Sequence, residues 1–113
     1  AGVGGNTTQM ARARFRKDVL ARKPDLVIIQ FGINDSATDV WRNVTKPRVP
    51  KGRYEANLRY FVRTLKAKGA CVILMTPNPL RWTPPLKKLY GKPPYDPNDI
   101  DGFNVLLKEY AAV

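Results

Sequence analysis

Histidine is absent from this 113-residue sequence, and cysteine and serine occur once each, as Cys71 and Ser36. A chain without histidine and with one cysteine has almost no means of building a zinc site. A single cysteine forms no intrachain disulfide, and Cys71 lies in the apolar run ACVILM, where a buried, inert thiol is expected. No EF-hand spacing is present, so a carboxylate-only calcium or magnesium site has no motif behind it and no metal is expected. No apolar run reaches the ~20 residues of a membrane-spanning helix. The opening AGVGGNTT lacks the basic head and apolar core of a signal peptide. A secreted protein after signal removal would look the same, so the compartment stays open, a secreted or periplasmic bacterial setting being compatible.

Acidic residues are scarce too, 9 against 20 basic ones, for a net charge of +11. Such an excess attracts polyanions, whether nucleic acid, anionic polysaccharide or an acidic membrane surface. The basic residues are scattered through helices and loops rather than gathered in one tract. Charge alone is weak evidence, and no nucleic-acid partner is expected.

What is present is an alternation of helical and strand patterns. Asn6-Thr7-Thr8-Gln9 reads as a capping box with Asn6 as the cap, opening a helix to about Arg22 with Ala11, Phe15 and Val19 on one face. Pro24 ends it. Leu26 to Phe31 is apolar without alternation, the pattern of a parallel strand covered on both faces. Ser36 to Gly52 is polar and reads as loop. Arg53 to Lys68 carries Tyr54, Leu58, Phe61, Val62 and Leu65 at helical spacing, with Gly69 placed for a left-handed cap. Ala70 to Thr76 is a second apolar strand. Pro77 to Asp101 holds seven of the ten prolines and reads as a long loop. Asp99 or Asp101 then caps a last helix with Phe103, Leu106, Leu107 and Tyr110 on one face.

This order predicts an α/β layer fold with a parallel sheet. Two strands do not make a stable doubly wound sheet, and the last helical pattern is still running at Val113. Residues 1–113 therefore read as one partial domain, truncated at both ends.

In open parallel sheets, ligands bind beyond the carboxyl ends of the strands. Two polar features belong there, GGNTT at the mouth of the first helix and GIND at the end of the first strand. Helix N-termini carry unpaired N–H groups and partial positive charge. Gly4 and Gly5 would let a substrate oxygen approach them, and Asn34 could donate a side-chain N–H to the same oxygen. Donors of both kinds aimed at one point describe an oxyanion hole.

GVGGNTT followed, one helix later, by KPDLVIIQFGIND resembles the middle of an SGNH hydrolase, also called the GDSL esterase/lipase family. The helix and strand YEANLRYFVRTLKAKGACVILMTPNP are similar to those of bacterial members. The resemblance runs from Gly2 to about Pro79 and extends to the final helix from Gly102. It implies a three-layer α/β/α flavodoxin-like fold, of which this chain would be a part, and hydrolysis of esters, often acyl or acetyl groups on lipids or carbohydrates. It implies Gly5 and Asn34 as oxyanion-hole donors, Gly32 clearing space before Asn34, and no metal or organic cofactor. The family's GDS block with the nucleophilic serine would precede Ala1, and its DxxH block with the base histidine would follow Val113. Ser36 matches no nucleophile position, so the isolated chain is expected to be inactive.

Asp35 is expected to bond backbone amides of its loop and fix the Asn34 rotamer. Asn78, at the end of the second strand, and Trp82 are candidate substrate contacts. Trp41, Trp82, Tyr90 and Tyr95 either stack on sugar rings or pack their loops onto the scaffold. The polar, aromatic and basic loops favour carbohydrate acetyl esters as substrate. A non-catalytic carbohydrate-binding module is the alternative, with a basic nucleic-acid-binding protein behind it. Oligomeric state is not legible.

Overall fold

The computed structural model describes residues 1–81, 83–90 and 107–113. The chain runs α1 (Thr8–Asp18), a 3-10 turn at Leu20–Arg22, β1 (Leu26–Gln30) and a single helical turn α2 (Ile33–Ser36). A second 3-10 turn at Val40–Arg42, α3 (Lys51–Ala67), β2 (Cys71–Met75) and α4 (Pro84–Tyr90) follow. Residues 107–111 form a last helical segment, α5.

The two strands pair in parallel, from Leu26 beside Cys71 to Gln30 beside Met75. α1 and α3 lie on the same side of this sheet. Ala11 and Phe15 of α1, Ile29 of β1 and Tyr54, Leu58, Phe61 and Leu65 of α3 form its core, and Tyr110 of α5 joins them. The Phe15 and Phe61 rings meet tilted, centroids 4.7 Å apart, in the seam between the two helices. Tyr110 donates its hydroxyl proton to the Val49 carbonyl and so pins α5 to the loop before α3.

The other sheet face is open. Leu26 and Ile28 are 53% and 59% exposed, and Ile73 and Met75 of β2 beside them are 48% and 45% exposed. The expectation of a strand covered on both faces is thus met on one face, which gives two of the three layers of an α/β/α fold. A continuous apolar run is dictated by the environment a strand is built for. It does not say which segment provides the second cover. Cys71 follows the same rule and is exposed on the open face, not buried.

Local details also depart from the sequence reading. Thr7, not Asn6, caps α1, its Oγ1 accepting from Met10 N at 3.3 Å. Asn6 and Gln9 turn to other partners instead, Asn6 accepting from Arg14 of α1 and Gln9 from Asn57 of α3. α3 starts at Lys51, with Pro50 as its cap. First-turn N–H groups need no helical partner, so Pro50 and Gly52 cost little there. Gly69 takes the left-handed conformation at φ 82° as expected. The 36–52 segment contains helical turns, and α4 lies inside the proline-rich stretch read as loop, beginning on a proline where the missing N–H is harmless. Leu107 and Tyr110 are buried, while Asp99, Asp101, Phe103 and Leu106 lie outside the described residues.

Candidate functional site

Three loops meet beyond the carboxyl ends of the strands and enclose an open cleft of about 250 Å³. The loop before α1 contributes Gly4, Gly5 and Asn6, the exit of β1 contributes Gly32, Ile33 and Asn34, and the exit of β2 contributes Pro77 and Asn78. A larger cleft of about 380 Å³ runs along β1 and α1. Its walls are mainly apolar, and the Arg14–Asp18 ion pair of α1 is among its lining residues, so it offers packing rather than chemistry.

Gly5 sits in a turn closed by Asn6 N to Val3 O at 3.3 Å, with φ 76°. A positive φ at the third residue of a turn is the type II arrangement that favours glycine. The turn uses the Asn6 N–H, and among the described residues the Gly5 N–H donates no hydrogen bond. A side chain at Gly5 would meet no atom within 4 Å, so this glycine is required by backbone conformation, not by crowding.

Gly32 is required on both counts. Its φ is 125°, and a Cβ would lie 2.9 Å from Pro77 Cγ and 3.1 Å from the Tyr54 hydroxyl. This reversal at the strand end lets the chain start α2, with Ser36 N bonded to Gly32 O at 2.8 Å. Asn34 then points its amide back across the cleft. Its Nδ2 donates to the Asn6 carbonyl at 3.2 Å, 28 residues away in sequence, and its Oδ1 accepts from Arg48 at 3.4 Å. An amide nitrogen has two N–H donors, and the Asn6 contact engages one. Gly5 and Asn34 therefore line one cleft and are tied together through Asn6.

Asp35 faces the other way, into the protein, and is fully buried. Its Oδ1 accepts from Thr8 N at 2.8 Å and from the Thr8 hydroxyl at 2.5 Å. Asn57 Nδ2 donates to the same hydroxyl at 3.0 Å, and Arg12 holds Asn57 Oδ1 at 3.0 Å. The expected partners were amides of its own loop; those of Gly32 and Asp35 do favour its charge, but the strongest partner starts α1, where N–H groups and the helix dipole favour a carboxylate. Asp35 thus clamps the loop carrying Asn34 to the helix that follows Gly5. Burial pushes its pKa above the usual carboxylate value, against the opposing pull of the Thr8 hydrogen bonds. Among the described residues its Oδ2 has no hydrogen-bond partner. Tyr54, whose hydroxyl donates to Phe31 O, is pushed up to about 12 by burial and the nearby Asp35 charge.

Ser36 is buried and donates to the Ile33 carbonyl at 3.2 Å, a structural bond that aims it away from chemistry. Asn78 reaches the cleft rim, exposed, with Oδ1 held by Gln30 at 2.7 Å. Trp82 and Tyr95 lie outside the described residues. Trp41 is half-buried and packs against the cluster of Ala37, Val40 and Leu107. Arg48 and Asn57 escaped the sequence reading. Asn57 carried a signal, a polar residue beside Leu58 on the buried stripe of α3; Arg48, in a polar loop, carried none. No group of three or more histidine, cysteine or carboxylate side chains fit to hold a metal occurs among the described residues. No helix there is long and apolar enough to cross a membrane.

A family model described as GDSL-like lipase/acylhydrolase matches residues 1–113. The chain is 46% identical over 80 residues to an uncharacterised lipoprotein, YqeF, of Bacillus subtilis, which covers 71% of this chain and 32% of that protein. It is 43% identical over 81 residues to an acetylxylan esterase of Geobacillus stearothermophilus, covering 67% and 35%. Among solved structures, the Geobacillus stearothermophilus acetylxylan esterase Axe2 matches with a TM-score of 0.59 and 33% identity over 98% of this chain and 48% of its own. A candidate acylhydrolase from Bacteroides fragilis matches with a TM-score of 0.64 and 29% identity, covering 99% and 49%. The chain thus spans about a third of the curated relatives and about half of the solved structures.

Proposed function

The chain belongs to the GDSL-like lipase/acylhydrolase family, and from that premise we propose that it supplies the oxyanion hole of an SGNH-type serine ester hydrolase. The observation that carries this reading is the Asn34 amide, anchored on the Asn6 carbonyl beside a Gly5 N–H that no described residue engages. In the whole protein, a serine hydroxyl attacks the ester carbonyl while a histidine accepts its proton. The carbonyl π pair moves onto oxygen, giving a tetrahedral oxyanion. Gly5 N–H and the second Asn34 Nδ2–H receive that charge, and the histidine returns the proton to the leaving alcohol. Water then releases the acyl group by the same steps. The sequence holds no histidine and its one serine is buried, so nucleophile and base come from outside these 113 residues. The chemistry calls for no metal or organic cofactor. In Axe2, a serine, an aspartate and a histidine are the positions of catalytic mutants.

Acetyl esters on a carbohydrate are the substrate class we favour. The acetylxylan esterases among its relatives and the polar cleft rim at Asn78 and Gln30 support it. The test is hydrolysis of acetylated xylooligosaccharides and of 4-nitrophenyl acetate by the full-length protein, with fluorophosphonate labelling of its serine. Acetate release and labelling are expected. Binding of acetylated oligosaccharides with neither would support the carbohydrate-binding module instead. The isolated 113-residue chain is expected to show no turnover above a heat-treated control.

A further inference from the structure

We propose that Arg48 is a positioning residue that fixes which end of the Asn34 amide faces the cleft, an inference that rests on the oxyanion reading of Asn34. A primary amide has nearly the same shape in either of two orientations, and exchanging them would put an acceptor where the oxyanion needs a donor. The two groups flanking Asn34 decide between them. The Asn6 carbonyl only accepts, so it selects Nδ2, at 3.2 Å. The Arg48 guanidinium only donates, so it selects Oδ1, at 3.4 Å. The two contacts select the same orientation, and together they widen the gap to the flipped amide, which would set acceptor against acceptor at Asn6 and donor against donor at Arg48.

Arg48 is itself held firmly enough to do this. Its Nε and Nη2 bond Asp39 Oδ1 at 2.9 and 2.7 Å, which fixes the plane of the fork. Its backbone N–H bonds Ala37 O at 2.9 Å, and the next N–H, of Val49, bonds Asp35 O at 3.0 Å. Backbone and guanidinium thus follow α2, the element that carries Asn34. At 3.4 Å the contact to Oδ1 is long, so its effect lies in orientation and polarisation of the amide. A lysine has no planar fork and cannot serve Asp39 and Asn34 in this geometry.

The test is a double-mutant cycle in the full-length protein on 4-nitrophenyl acetate, with thermal unfolding of each variant. Arg48→Met is expected to lower kcat about tenfold, the scale of one lost charge-assisted hydrogen bond, with KM within about twofold. In an Asn34→Ala background the same change is expected to cost less than about twofold, because the amide it orients is gone. Equal losses in both backgrounds, or no loss in the parent while Asn34→Ala is impaired, overturns the inference and leaves the oxyanion reading intact. An unimpaired Asn34→Ala overturns both. If Arg48→Met unfolds, Arg48→Lys takes its place in the same cycle. It keeps the charge without the fork and is expected to show the same kcat loss, whereas a parental rate would overturn the proposal.

Discussion

The two strands end on the same rim, and each is followed by an asparagine, yet the two exits differ in how tightly they are held. Asn34 follows a glycine that tolerates no Cβ, is bonded at both ends of its amide, and is backed by a buried aspartate clamped to α1. Asn78 is exposed and among the described residues has one hydrogen-bond partner, Gln30, itself on the open rim. A group that must meet developing charge without reorganising needs the first kind of exit, because preorganisation is what makes an oxyanion donor effective. A group that greets part of a substrate can work from the second. Residue type is the same in both; constraint separates them.

The largest predicted effect breaks the first exit at its functional atom. Asn34→Ala in the full-length protein should lower kcat on an acetyl ester by about 10² to 10³, the scale of losing one oxyanion donor, with unfolding midpoints close to the parent. Gly32→Ala attacks the frame that aims it. The positive φ and the 2.9 Å clash with Pro77 add strain and overpacking, for a loss of about 2–4 kcal/mol in denaturant unfolding.

Asp35→Asn sharpens the comparison through pH. Because burial raises the Asp35 pKa above 3.8, the stability its protonated form contributes is complete below 3.8. It is lost as pH rises through the higher folded value, since the folded state resists taking the charge. The difference in unfolding free energy, Asp35→Asn variant minus parent, should therefore increase with pH from 3.8 upward and then level off. A flat difference between about pH 3.5 and 7 would show that Asp35 ionises in the folded state as it does in the unfolded chain. The smallest effect belongs to the loosely held exit. Asn78→Ala should change kcat less than about threefold, a shift within one weak polar contact, and register in KM for carbohydrate esters if at all.

The same contrast explains what the sequence made legible. That Gly5 and Asn34 line one cleft was legible because their positions relative to one helix and one strand form a local pattern. The two central helices followed from their apolar spacing. The Thr8–Asp35 clamp spans 27 residues, and no local rule pairs them. Thr7 took the capping role from Asn6 because both side chains suit it, and Arg14 was present to engage Asn6. Burial of Cys71 was misjudged because an apolar run looks alike whether its second cover lies in the same segment or not. Arg48 owes its place to Asp39 and Asn34, contacts that a polar loop does not announce.

The central claim is that Gly5 N–H and Asn34 Nδ2–H receive the same oxyanion. Side-chain and backbone amide protons of isotopically labelled full-length protein, compared before and after formation of a phosphonate adduct on its serine, test it most directly. Both the Gly5 amide proton and one Asn34 Nδ2 proton should move strongly downfield, the second Nδ2 proton staying near its starting value on Asn6. If the adduct forms and neither proton moves, the cleft between these two loops is not where the charge develops.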